Sequence, residues 1–580
     1  MRQNMADETT DHASRQDLLP LTTNDQRLTP YTSQFPIFRL SWNNAVPNIP
    51  RIPDSPTARM FQYDGLLNLK STPRKVPKSL SVLISRSERS TLRAMSNEPA
   101  YPKIAQLKTV AALRLRFSEL GISLPIDEKI LSAAEASPLA EPIKIAGHTV
   151  ANRWCIHPME GWDAGRDGSP SEHTLRRWRN FGRSGAKLIW GGEAAAVRPD
   201  GRANPNQTLA TQSNRAGLAA LLNELTSAHR AAFGSLDGLL VGLQLTHSGR
   251  FCKPDDHHRS APRIAYHHPL LDAKFKIDPN DDSIVWTDAE LESLIDDYVA
   301  AARLAHEVGF HFVDIKACHG YLLHEFLSAR HRPGPYGGDL AGRSRLLLTI
   351  IDRIRNELPQ LTIGVRLSVF DSIPYVTSRE LGRPMDYDTL LPYEYGFGVA
   401  ANDPMSIDLT EPIELMRMLV AHGIAAINIT CASPYYNPHL LRPAIFPPID
   451  GYQPPEDPLI GVWRHIDTVR RCKAALLNVP LVGSGYTYLQ EYLPQVAQAV
   501  VREDWTDFVG IGRMVLTYPE LPADSLAGRP LQRKRLCRTF SDCTTAPRNG
   551  LISGCYPLDP YYKSLPEREE LIAIKQRWQT

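Results

Sequence analysis

Several things are scarce in this chain of 580 residues. It has no uninterrupted apolar run of membrane-spanning length and no hydrophobic stretch behind its first residues, which argues against membrane insertion and export. Excess charge is missing too: 65 basic against 63 acidic residues leave a formal +2. With no basic stripe interleaved with aromatics, nucleic acid is not an expected partner. The eight cysteines are too scattered for a disulfide framework, so a reducing cytoplasm is the expected setting. No glycine-rich turn follows the first strand-like run, which argues against an open dinucleotide-binding sheet.

What is present suits a large globular fold, with 42% hydrophobic and 22% charged residues. Residues 1–94 are rich in Pro, Ser, Thr, Asn and Arg without a sustained apolar period, and read as a disordered or non-native extension. Met95 opens the first ordered-looking stretch and is a candidate start, so 95–139 is expected to be a helical lead-in. From about 140 the chain alternates short apolar runs with amphipathic ones. Strands are expected at Arg153–Pro158, Ala186–Trp190, Leu239–Leu245, Phe312–Lys316, Leu361–Leu367, Ala425–Thr430, Val479–Val482 and Phe508–Ile511. Helices such as Asp288–Val308 and Arg343–Leu358 fall between them. Eight buried-type strands separated by helices predict an α/β fold, a parallel (β/α)8 barrel over 140–530, with 531–580 as a cysteine-containing extension. The long stretches Phe370–Pro412 and Pro434–Pro458 each follow a strand and should wall the catalytic face.

In such barrels the working residues stand at the C-terminal strand ends. The fourth strand ends in Asp314-Ile315-Lys316-Ala317-Cys318-His319-Gly320-Tyr321. Lys316 and His319 are donors suited to a carbonyl oxygen that gains negative charge, and Tyr321 can supply a proton. After the seventh and eighth strands come Gly483-Ser484-Gly485 and Gly510-Ile511-Gly512-Arg513. Glycine admits an anion close to the backbone N–H groups and Arg513 adds a fork of donors, so these loops make a phosphate site.

The fourth-strand segment resembles the Old Yellow Enzyme family, and further motifs over roughly 140–530 follow in order. Asn152-Arg153 with Pro158-Met159 is similar to the family's first-strand entry, Gln244-Leu245-Thr246-His247-Ser248-Gly249-Arg250 to its third-strand motif, and Arg366 to its fifth-strand arginine. The resemblance implies an FMN enzyme that takes hydride from NADH or NADPH and passes it to an α,β-unsaturated carbonyl compound. His319 and Tyr321, with Lys316, would be catalytic. Pro158, Met159, Glu160, Gly192, Gln244, Arg366, Gly483, Ser484, Gly485, Gly512 and Arg513 would hold FMN, with no metal. Tyr435 to His439 would line the pocket. The implied partners are a small molecule and a nicotinamide dinucleotide; a homo-oligomer stays open.

Two departures matter. Glu160 stands where the family carries Thr or Cys against the flavin, and Lys316 where many members carry His or Tyr. Either the two neutralise each other across the reactive edge, or Glu160 turns away to a backbone amide. At the C-terminus, Cys543 and Cys555 reproduce the last interval of the four-cysteine run found in the dienoyl-CoA reductase and trimethylamine dehydrogenase branch. With Cys537 the only other thiol there, a [4Fe–4S] cluster is not expected. The alternatives are an amine dehydrogenase or demethylase, against which Lys316 argues, and a flavin-binding barrel without turnover.

Overall fold

A computed structural model describes residues 101–378, 381–476 and 478–577. The expectations for residues 1–94 and for a start at Met95 lie outside the described residues. Eight parallel strands form a closed ring: β1 (Trp154–Ile156), β2 (Leu188–Ile189), β3 (Leu240–Thr246), β4 (Phe312–Ala317), β5 (Thr362–Ser368), β6 (Ala426–Thr430), β7 (Leu481–Gly483) and β8 (Phe508–Ile511). Each pairs with its sequence neighbours, and β8 closes on β1 through Val509 opposite Trp154 and Ile511 opposite Ile156. All eight expected strands are there. Helices follow in turn, among them Asp288–Val308 and Leu340–Glu357. The first is stopped and started by its own sequence: Thr287 and Glu290 form a reciprocal cap, and Gly309 ends it at φ 104°.

Side chains alternate along a strand, so every second residue faces the barrel interior. At the N-terminal end those positions are apolar. Leu188, Trp190, Leu240, Phe312, Ala426, Val482 and Phe508 pack together there, with Ile145 and Val150 of the hairpin that plugs the barrel. The interior is therefore a filled core rather than a pore.

β2 is interrupted. It pairs with Leu240 and Val241, breaks at Trp190–Glu193, and resumes at Ala194–Ala196 against Gln244–Thr246. Gly191 and Gly192 make the break. A Cβ on Gly191 would stand 2.8 Å from Gln244 Cβ, and Gly192 has φ 54°. The break turns Glu193 toward Arg177 and the amide of Gly161.

The long stretches after β5 and β6 hold two hairpins, Tyr375–Ser378 with Leu381–Pro384 and Val399–Ala400 with Asp403–Ile407, and the short helix Pro438–Leu441. Beyond β8, helices Asp542–Arg548, Pro560–Lys563 and Glu567–Arg577 have a small core of their own around Ala546, Tyr556, Tyr562 and Leu571. Arg548 pairs with Asp450 at 2.9 Å and Arg176 with Asp559 at 2.9 Å, which ties this segment to the barrel. No described helix is long and apolar enough to cross a membrane. All eight cysteines are free thiols.

Candidate active site at the C-terminal strand ends

Moving up the barrel, the inward positions change from apolar to ionisable. β4 presents Phe312, then Asp314, then Lys316. β5 sets Arg366 level with Lys316 on one side and with Asn428 of β6 on the other. Asp314 is fully buried, accepting from Gln244 Nε2 at 2.5 Å and from the Arg366 amide at 2.7 Å. Burial pushes its carboxyl up to about 7, against the pull of Gln244 and Arg366. One N–H of Gln244 is thus committed below, while its amide still lines a cavity of about 170 Å³ with Lys316, His319, Tyr321 and Arg366. The Arg366 Nε is buried without a protein partner.

Glu160 faces this cavity and does not turn away to an amide. It pairs with Lys316, accepts from Tyr321 Oη at 2.8 Å and accepts from Trp162 Nε1 at 3.1 Å. The Gly161 amide goes to Glu193 instead. Tyr321 Oη is also 2.9 Å from Tyr435 Oη, and Tyr435 stacks on Phe251 at 3.9 Å between centroids. Burial, then Glu160 and Tyr435, hold the Tyr321 phenol well above its ordinary value, so it keeps its proton. His319 adopts φ 67°, a costly region for a residue with a Cβ. Its amide donates to Ser368 Oγ at 3.0 Å and its carbonyl accepts from Ser433 Oγ at 2.9 Å, which fix that turn. Burial, then Arg366 and Lys316, hold its imidazole well below the usual range and hence neutral.

A second cavity of about 220 Å³ shares Pro158, Glu160, His319 and Arg366 with the first. It runs on past Met159 to Ser484, Gly485, Gly512 and Arg513. The two together join nearly every site residue the sequence suggested. Two do not belong. Gly192 lies behind the wall: a Cβ there would meet the Trp178 ring at 2.4 Å, and its carbonyl accepts from the Met159 amide at 3.0 Å. It is a packing glycine. Gly483 ends β7 beneath the cavity, where a Cβ would meet Tyr486 Oη at 2.8 Å. Ser484 reaches the cavity without a free hydroxyl, since its Oγ donates to Ile429 O at 2.7 Å and stands 3.1 Å from His157 Nε2.

Sequence reasoning missed the roof. Helix Asp542–Arg548 brings Cys543, Thr544, Pro547 and Arg548 over the first cavity. Arg442, at the end of helix Pro438–Leu441, lines both cavities and donates from Nη1 to Thr544 Oγ1 at 2.6 Å. No local motif marks these residues, because they reach the site from separate loops. Cys537, Cys543 and Cys555 gather around a smaller hollow beside Arg513. Among the described residues no group of three or more His, Cys, Asp or Glu is placed to hold a metal ion.

The chain is similar in sequence and fold to known proteins. A NADH:flavin oxidoreductase of Gibberella zeae is 28% identical over 302 residues, covering 50% of this chain and 66% of that protein. The NADPH dehydrogenase of Bacillus subtilis is 30% identical over 228 residues, covering 38% and 60%. The chain thus spans less than two thirds of the length of either relative. The fold is shared with a solved 2-naphthoyl-CoA reductase at TM-score 0.54 and 19% identity, over 75% of this chain and 58% of that one. Residues 138–379, from the barrel's lead-in to the hairpin after β5, match the model of the NADH:flavin oxidoreductase / NADH oxidase family.

Proposed function

We propose that this chain is an FMN-dependent oxidoreductase that draws on NADH or NADPH and reduces a carbon–carbon double bond conjugated to a carbonyl. One observation carries the reading: Lys316, His319 and Tyr321 share one cavity with Gln244 and Arg366.

The residues fit the cofactor. Gln244 offers an amide to a hydrogen-bonding ring edge, and Arg366, with an unpartnered Nε, offers a fixed cation beside it. The backbone at Gly485 and Gly512 with Arg513 suits the phosphate. Pro158 and Met159 supply an apolar wall. When bound, FMN would accept hydride from the nicotinamide and pass it to the β-carbon of the substrate.

The protein groups handle charge and protons. Lys316 and the neutral His319 are donors for the carbonyl oxygen, where negative charge develops. Tyr321 delivers the proton to the α-carbon, and the adjacent Tyr435 hydroxyl can return one to it. Glu160 balances Lys316, so a cation is kept at the reactive edge without an excess of charge. A cationic amine would meet Lys316, Arg366 and Arg442 in the same space, which disfavours amine oxidation. Free thiols throughout suit a reducing cytoplasm.

The test is the visible spectrum of the purified protein before and after anaerobic NADPH, followed by addition of an enone. A flavin band that bleaches and then recovers on adding the enone is expected. A protein that takes up no FMN on reconstitution overturns the reading.

A further inference from the structure

The first cavity is lined by the cations Lys316, Arg366, Arg442 and Arg548, against one carboxylate, Glu160. Three of the four have a counter-charge at hand. Lys316 pairs with Glu160 and Arg548 with Asp450, while Arg366 lies over Asp314 and would face the flavin ring. Arg442 has no ion pair: no carboxylate of the described residues lies within salt-bridge distance of it, and its Nη2 is buried without an acceptor. The charges that weigh most on it are themselves guanidinium groups, Arg548 and then Arg513, with Asp450, already paired to Arg548, a weaker counterweight. Burying an uncompensated cation is expensive, and proteins keep one where a ligand brings the missing charge.

We propose that Arg442, steadied by Thr544, is the receptor for an anionic group carried by the oxidising substrate, so that the substrate is an enone bearing a carboxylate or phosphate in addition to its conjugated carbonyl. This rests on the reading of the cavity as the site of substrate reduction. On that reading the flavin phosphate would be held by Arg513 and the loops at Gly485 and Gly512. The side chains around Arg442 fit an anion on an apolar arm, since Leu441, Pro434 and Tyr435 flank it in the same cavity. A guanidinium offers two parallel N–H donors to a carboxylate or phosphate, and here only Nη1 is engaged by the protein.

The same chemistry could come from a phosphate of the nicotinamide dinucleotide, so the experiment has two arms. In the first, calorimetry measures binding of benzoylpropionate and of its methyl ester to the oxidised, FMN-loaded protein, where no turnover occurs. The native protein should prefer the acid by about tenfold or more, and Arg442→Gln should abolish that preference while Arg442→Lys retains part of it. In the second, the rates of flavin reduction by NADPH and NADH are compared in the same variants. A shift there, with the acid and ester unaffected, assigns the anion to the dinucleotide and overturns the proposal. So does equal binding of acid and ester to the native protein, an intact preference in Arg442→Gln, or release of FMN by both variants. Because binding is read without turnover, a protein that binds the acid but never reduces an enone defeats the proposed function alone.

Discussion

The Lys316 ammonium lies 3.7 Å from the centroid of the Tyr321 ring. The cation therefore touches both the carboxylate that receives the tyrosine's hydrogen bond and the ring that the proposed mechanism asks to part with a proton. An ammonium over an aromatic face is attracted by the ring's negative face, and more so as the phenol loses its proton. Lys316, Glu160 and Tyr321 act as one unit, and the predictions below treat them so.

Replacing Lys316 by Met removes the cation and strands Glu160, whose side chain is only 13% exposed. Breaking a buried pair from one side costs about 3 kcal/mol of stability, and carbonyl ligands should bind more than about tenfold more weakly. Adding Glu160→Gln should restore most of the lost stability but not the ligand affinity. Urea unfolding of both single variants and the double variant checks this; strictly additive losses would mean the pair is not coupled.

Tyr321→Phe deletes the proposed proton source while leaving its ring contacts with Tyr435 and Phe251. Re-oxidation by an enone should slow on the order of hundredfold, and much more than reduction by NADPH does. Stopped-flow traces of the two half-reactions separate them. Equal slowing of both would make Tyr321 a structural residue.

Gly192→Val should cost about 2–4 kcal/mol, because φ is 54° and the new Cβ would enter the Trp178 ring. The Gly192 carbonyl holds the Met159 amide, so FMN retention should fall as well. A urea midpoint unchanged from the native protein's would show that the break in β2 adapts.

Stability should decline as the pH falls from about 6.5 toward 4. Burial pushes His268, His324 and His439 down to about 3 and His229 and His465 to about 4, so each is neutral when folded. Below its ordinary value of 6.5 each is protonated in the unfolded chain first, which favours unfolding. Asp314 and Asp371 act in the opposite direction. Burial raises both to about 7, so their contribution is complete at low pH and is lost as the pH rises from about 4 to 7. His247, also pushed down to about 3, and Glu193, also raised to about 7, join the two groups, and the six histidines outweigh the three carboxylates across the shared window. Urea midpoints at pH 7 and pH 5 test the balance, and a higher midpoint at pH 5 would reverse it.

The barrel was legible because buried parallel strands are short apolar runs at regular spacing, as at Phe312–Ala317 and Thr362–Ser368. The floor of the site was legible for the same reason: Gln244, Lys316 and Arg366 are polar residues interrupting those runs. The roof was not. Arg442 and Thr544 meet across 102 residues, and nothing in either loop specifies the other. Gly192 and Gly483 misled because a glycine required by Trp178 or Tyr486 is indistinguishable in sequence from one required by a ligand. The interruption of β2 was equally silent, since Ala186–Trp190 reads as one strand.

The covering helix Asp542–Arg548 has a bearing on the order of events as the chain is made. Every strand end that lines the chamber precedes this helix in the chain, so the barrel and its cations can form before the helix that covers them is made. A cofactor bound before that point would then be covered by it. Its release would then call for local opening of one short helix, held to the barrel by Arg548 with Asp450 and by Thr544 with Arg442, and not for unfolding of the barrel itself.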